Sequence, residues 1–234
     1  NSGALGTGTV TIGGGTTLVG TTNLDLLNTM VLNADLTLNG GTNQWILDGD
    51  ISGTNGLVKN GTGNLTLNGT NTYAGGLVLN SGGLVLGNAS GLGTGTLTLS
   101  GSGSLSASSA MSVSNDINLN GGNLTVAGSN PLTLSGNISG FTGLIKSGAS
   151  NLTLSGTNTY QGSTLLASGT LTLGSNSALG TGPLVAMNGT SLDASTAVTV
   201  GNGITLNGAM TVAGSNALTL GGVLTGATGS LIKN

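Results

Sequence analysis

Cysteine, histidine, glutamate and arginine are all missing from this chain, which also has only two prolines, one tryptophan, one phenylalanine and two tyrosines. Without cysteine there are no disulfides and no thiolate metal ligands, so stability must come from packing and backbone hydrogen bonds. Charge is almost as scarce. Three lysines (Lys59, Lys146 and Lys233) stand against six aspartates (Asp25, Asp35, Asp48, Asp50, Asp116 and Asp193), a net charge of −3 over 234 residues. Three cations would displace too few counterions from a phosphate backbone to hold nucleic acid, and they make no basic patch for an anionic membrane. Hydrolytic chemistry would have to be assembled from sparse Asp and Lys alone. The chain therefore reads as a non-enzyme, with no catalytic, cofactor-binding or metal-binding residues. No apolar run approaches the ~20 residues of a membrane-spanning helix, so this segment is not membrane-inserted. Asn1 opens without a charged region or signal-like core, as in a mature segment or a fragment.

What is present is 47 glycines, a large share of Leu, Thr, Asn and Ser, and a hydrophobic fraction of 36%. Disordered chains pair low hydrophobicity with high charge; this composition is the reverse, and it implies a folded chain.

Internal repetition organises the sequence. The segment Ser2 to Ile12 (SGALGTGTVTI) returns as SGLGTGTLTL from Ser90 and as SALGTGPLVA from Ser177, so Leu5, Leu92 and Leu179 are spaced by 87 residues. The same interval separates Lys59, Lys146 and Lys233 within Leu-Val-Lys or Leu-Ile-Lys, and Thr70–Tyr73 from Thr157–Tyr160. The units are 1–87, 88–174 and an incomplete 175–234, as expected of a single segment from a longer array.

Within each unit the apolar residues form short alternating triplets such as Leu65-Thr66-Leu67, Leu77-Val78-Leu79 and Leu97-Thr98-Leu99. Period-two alternation over three to five residues predicts very short strands with one buried face. Gly, Asn and Ser between them supply tight turns. No stretch has helical spacing, so helix content should be close to nil. Strands this short, repeating at long period, favour a solenoid over a sandwich or barrel. The expected fold class is all-β, a parallel β-helix with about three short strands per coil. Coils of roughly 21 to 22 residues would place about four in each 87-residue unit, and some eleven coils stacked at about 4.8 Å would give a rod ~50 Å long.

The stretch Gly56 to Leu99 and its second copy, Gly143 to Ala186, closely resemble the autotransporter-associated β-strand repeat of Gram-negative passenger domains. The family pattern is a Gly-Leu-x-Lys start, a Leu-Thr-Leu strand, Asn-Thr-Tyr and an Ala-Leu-Gly-Thr-Gly finish; both copies match it almost throughout, the first with Gly91 in place of the Ala, and Gly229 to Asn234 opens a third. The resemblance covers about half the chain strongly. It implies a right-handed β-helix displayed outside the cell, and a repeat that assists passenger secretion or folding. It carries no shared catalytic residues, and neither a signal nor a translocator barrel is within this sequence.

Several residues invite a functional reading. Asp48-Gly49-Asp50 is the densest acidic cluster, but a calcium site needs six to eight oxygen ligands and the second copy has Ser135-Gly136-Asn137 instead; a solvated turn is expected. The three lysines should line up about four coils apart on one flank, each solubilising a corner and discouraging lateral strand pairing. Tyr73 and Tyr160 should pack over corners rather than stack on sugars. Trp45, where the second copy has Leu132, should fill the core. Gly13-Gly14-Gly15 lacks the Gly-Lys-Ser/Thr and the helix of a phosphate loop. The tripeptides beginning at Asn88 and Asn123 fit the glycosylation pattern only as Asn- and Thr-rich sequence often does. Outward threonines such as Thr9, Thr11, Thr94, Thr96 and Thr98 raise ice binding, but the pairs do not recur in each coil.

The composite expectation is a non-enzymatic extracellular bacterial β-helix, a passenger-like stalk or adhesin at the outer-membrane surface. Its expected partners are further copies of the chain, joined end to end or laterally, and host or matrix surface ligands. The rival reading is a repeat segment of a self-assembling extracellular fibre or biofilm matrix.

Overall fold

The structure is a computed structural model that describes residues 5–226 and 229–233; the first residues of the opening motif, Ser2 to Ala4, and Asn234 lie outside them. The described residues contain thirty strands of two to five residues and no helix. All pairings are parallel. The expected triplets are the strands: Leu77–Leu79, Leu97–Leu99, Met111–Val113, Ile117–Leu119 and Leu132–Leu134 each hold their bounds.

Three strands make one coil, and the chain winds through about eleven. The third face is an unbroken eleven-stranded sheet from Leu24–Leu26 to Leu224–Thr225. The second begins with seven strands, Thr16–Val19 to Ile138–Gly140, and resumes with Val198–Val200 and Leu218–Leu220. The first begins with Val10–Ile12, Met30–Leu32 and Ile51–Gly53 and resumes with seven strands from Met111–Val113 to Ser230–Lys233. Alternation decides which side chains are inside. Leu65 and Leu67 are fully buried while Thr66 points outward between them, and the same pattern stacks leucines into ladders through the core.

The coil is shorter than the sequence suggested. Partners in register are separated by 20 residues at Leu57↔Leu77, Leu77↔Leu97 and Leu97↔Ile117, with 19 at Leu65↔Leu84 and 21 at Leu84↔Leu105. An 87-residue unit thus spans about four and one-third coils, not four. Each copy is turned by one face relative to the last. Leu57–Asn60 lies on the second face, its equivalent Leu144–Lys146 on the third, and Ser230–Lys233 on the first. The expected single flank of lysines does not exist.

The same rotation explains the broken faces. Asn71-Thr72-Tyr73 and the Leu92-Gly93 segment occupy the first face without forming strands, and their copies at 158–160 and 178–180 interrupt the second. Backbone contact continues through the gaps, with Thr72 N donating to Ile51 O and Thr94 N to Tyr73 O, and likewise Thr159 N to Ile138 O and Thr181 N to Tyr160 O. The motif carries its own irregularity to whichever face it reaches.

Candidate functional site

The repeat signature builds two buried polar sites in each copy. The first centres on lysine. Lys59 occupies a core position of Leu57–Asn60, aligned with Leu38 on one neighbour and Leu79 on the other, and is only 4% exposed; Lys146 is 1% exposed. An ammonium has three donors and no acceptor, and burial is tolerable only when each donor is paired. Lys59 Nζ donates to Asn60 O (3.0 Å), Gly61 O (2.7 Å) and Ser81 O (3.4 Å). Lys146 Nζ donates to the equivalent carbonyls of Ser147 (3.2 Å), Gly148 (2.8 Å) and Ser168 (3.1 Å).

Four glycines turn these carbonyls inward: Gly61 and Gly148 have φ of 84° and 86°, and Gly82 and Gly169, which follow the contributing serines, have 82° and 74°. Such backbone favours glycine, and a Cβ on Gly169 would also stand 2.9 Å from Lys146 Nζ. Loss of water pushes both lysines below the ordinary ammonium range. The expectation of corner-solubilising lysines is therefore wrong for Lys59 and Lys146. The Leu-x-Lys pattern puts the Lys on the same side as the Leu, and a long side chain folded onto its own turn can satisfy the charge there. Lys233 lies on the exposed strand Ser230–Lys233.

The second site joins Asn-Thr-Tyr to Leu-Gly-Thr-Gly one coil later. Tyr73 and Tyr160 are fully buried in the core, inside rather than over the corners. Gly93 and Gly180, with φ of 65° and 60°, lie against the rings: a Cβ on either would be 3.0 Å from the tyrosine Cδ1 and 2.4 Å from the tyrosine carbonyl oxygen. Asn71 ties three coils together, Oδ1 accepting from Ile51 N (2.8 Å) and Nδ2 donating to Gly91 O (2.7 Å); Asn158 repeats this with Ile138 N and Ala178 O at the same distances. These bonds replace ladder bonds where the strand is interrupted.

Sequence reasoning missed one recurring group. Asn28, Asn115 and Asn202 each donate through Nδ2 to the two glycine carbonyls of the Leu-Gly-Thr-Gly turn: Gly6 and Gly8 (3.1 and 2.7 Å), Gly93 and Gly95 (3.0 and 2.8 Å), Gly180 and Gly182 (3.1 and 2.7 Å). Threefold recurrence at 87 residues was the available signal.

The acidic cluster is a turn, as expected. Asp48 Oδ1 accepts from Asn68 Nδ2 (2.5 Å), and Asp50 Oδ1 accepts from Thr70 N (2.7 Å). In the second copy Asn137 Oδ1 accepts from Thr157 N (2.9 Å), so the position needs an oxygen and not a charge. Among the described residues no three His, Cys, Asp or Glu gather as metal ligands. Trp45 fills the core at 2% exposure, with Gly20 and Gly40 making room for its indole; its Nε1 has no hydrogen-bond partner.

Outside the Tyr–Asn site lies a shallow polar groove. In the first copy it measures about 460 Å³ and is bordered by Thr70, Thr72, Ser90, Thr94 and Asp116; in the second, about 430 Å³, bordered by Thr157, Thr159, Ser177 and Thr181. Asp116 has Gly203 as its counterpart, so the repeated part of the groove offers hydroxyls and backbone and no acid–base pair.

The family described as the passenger-associated-transport-repeat matches the chain twice, over residues 57–86 and 144–173. Neither the curated proteins nor the solved structures include a match to it. Each matched stretch runs from the strand that bears the caged lysine, through Asn-Thr-Tyr, to the strand closing the next coil. The chain is a parallel β-solenoid with two stretches similar to the passenger-associated-transport-repeat, set 87 residues apart and turned onto successive faces.

Proposed function

We propose that this chain is a rod section of an exported bacterial passenger, a non-enzymatic stalk that stands outside the cell and mediates adhesion or self-association through its sides and ends. The observation that carries the reading is the pair of stretches similar to the passenger-associated-transport-repeat, wound into one continuous solenoid whose eleven-stranded third face runs unbroken past both. A stalk must hold its length without disulfides, and the unbroken ladder of the third face, with the interrupted ladders of the other two, gives that stiffness. Because successive copies turn by one face, a longer array presents the same hydroxyl-lined groove in three directions. Contact with host or matrix ligands then works through hydroxyl and backbone groups, since so few charged side chains are present. Fusing the chain to a translocator barrel in a Gram-negative host tests the reading. Surface labelling and protease shaving of intact cells should reach the rod, and cells carrying it should clump or adhere more than cells carrying the barrel alone. A rod retained in the periplasm, or displayed with no effect on adhesion or clumping, overturns it.

A further inference from the structure

The leucine ladders that hold the solenoid do not by themselves specify which residue of one coil sits on which residue of the next. A shift of two residues keeps every apolar side chain inward, because the side-chain period along a strand is two. The corners tolerate small changes in length, as the separations of 19 and 21 residues on the two sides of Leu84 demonstrate. A chain built from near-identical Leu-Thr-Leu and Leu-Val-Leu segments thus has several closely competing windings.

We propose that Lys59 and Lys146 are register locks: each pins one coil to the next at a single offset that the apolar ladders leave open. Two of the three carbonyls around each ammonium come from the lysine's own turn. The third, Ser81 O or Ser168 O, comes from the following coil, 22 residues on. That carbonyl is turned inward by the left-handed glycine after it, Gly82 or Gly169. Sliding the next coil by two residues would present the wrong carbonyl and leave one ammonium hydrogen unpaired in the core. The aligned neighbours of Lys59 are Leu38 and Leu79, and those of Lys146 are Val126 and Leu166, so an apolar side chain would fit the same column without the cost of burying a charge. That cost serves specificity, the role in which buried polar groups are best attested. The cage forms on the second face in one copy and the third in the other, so it belongs to the repeat and not to a particular side of the rod.

The absence of native cysteine permits a direct test by cross-linking. Val58 and Val78 are outward partners in register beside Lys59. Cysteines at opposed positions on adjacent parallel strands fall within disulfide reach. Val58→Cys/Val78→Cys reports the native offset, and Val58→Cys/Asn80→Cys a slip of two. With Lys59 in place the native pair should oxidise at least about tenfold faster than the slipped pair; adding Lys59→Met should lower that ratio about tenfold while circular dichroism remains β and the melting temperature does not fall. The parallel experiment at the second cage uses Ile145→Cys with Leu165→Cys or Ala167→Cys, with and without Lys146→Met. An unchanged ratio in a folded methionine variant overturns the proposal. So does failure of both methionine variants to fold, which would make the lysines stability residues instead.

Discussion

Tyr73 and Tyr160 occupy the same place in two copies of one motif, yet their hydroxyls end differently. Tyr160 Oη lies 2.5 Å from Thr164 Oγ1 in the core, whereas Tyr73 Oη is buried with no partner, because the residue equivalent to Thr164 is Leu77. Both rings are fully buried, both lie against a left-handed glycine, and both follow an asparagine that bridges three coils. The backbone architecture thus belongs to the motif and survives transfer from one face to another. The pairing of individual polar atoms belongs to the neighbours, and one substitution leaves a phenol orphaned. Burial raises the pKa of both phenols, that of Tyr160 to about 12 and that of Tyr73 higher still, since Tyr73 lacks the threonine contact.

The sharpest break in the likeness of the two copies should come from the core. Leu67→Asp and Leu154→Asp each place a charge in a sealed ladder and should cost about 4 kcal/mol or more, while Thr66→Asp and Thr153→Asp should cost well under about 1 kcal/mol. Thermal melts of the four variants check this; equal losses within a pair would refute the inward and outward assignment. Next in size, Gly93→Ala and Gly180→Ala should each cost about 2 kcal/mol or more. Both force an alanine to positive φ and drive its Cβ into the tyrosine carbonyl. Similar losses are expected, because the motif is intact in both copies.

The tyrosine hydroxyls should separate the copies. Tyr160→Phe leaves the buried Thr164 hydroxyl without its partner and should cost about 1 to 2 kcal/mol, whereas Tyr73→Phe removes an orphan and should be neutral or slightly stabilising. Installing the missing partner with Leu77→Thr should make Tyr73→Phe costly in its turn, which a double-mutant cycle would measure.

Alkaline titration gives a further contrast, now between residue types. Lys59 and Lys146 are held below their ordinary value of 10.5 in the folded chain. In the window between the folded and unfolded values the unfolded chain binds more protons, so stability rises with pH there. The buried tyrosines act oppositely: above about 10 the unfolded chain releases phenolic protons that the folded chain keeps, and stability falls. Denaturant midpoints across this range should rise and then fall, and Lys59→Met should flatten the rise while leaving the fall. The smallest effect belongs to Asp50→Asn. Since Asn137 already fills that role in the second copy, the change should stay within about 0.5 kcal/mol.

Strand positions were legible because each depends on a few adjacent residues. Leu65-Thr66-Leu67 had to be a short strand with Thr outward, whatever it packed against. The lysines were misjudged because charge is an unreliable guide to burial once a turn can furnish carbonyls. Nothing local to Lys59 discloses that Gly61 and the remote Gly82 direct three oxygens at its ammonium. The asparagines at 28, 115 and 202 escaped attention because Asn is abundant throughout the chain and their partners lie in the preceding coil.

By itself the sequence determined an all-β chain of short parallel strands, its 87-residue periodicity and the exclusion of chemistry that needs His, Cys, Glu or Arg. These are properties of composition and of side-chain alternation, which act within a few residues. Only the tertiary structure decided the coil length of 20 residues and, with it, the turn of one face per copy. Coil length is the sum of three strands and three corners, and a difference of one or two residues per turn is invisible in any single motif. Summed over four coils it moves the repeat, its lysine cage and its groove from one side of the rod to the next.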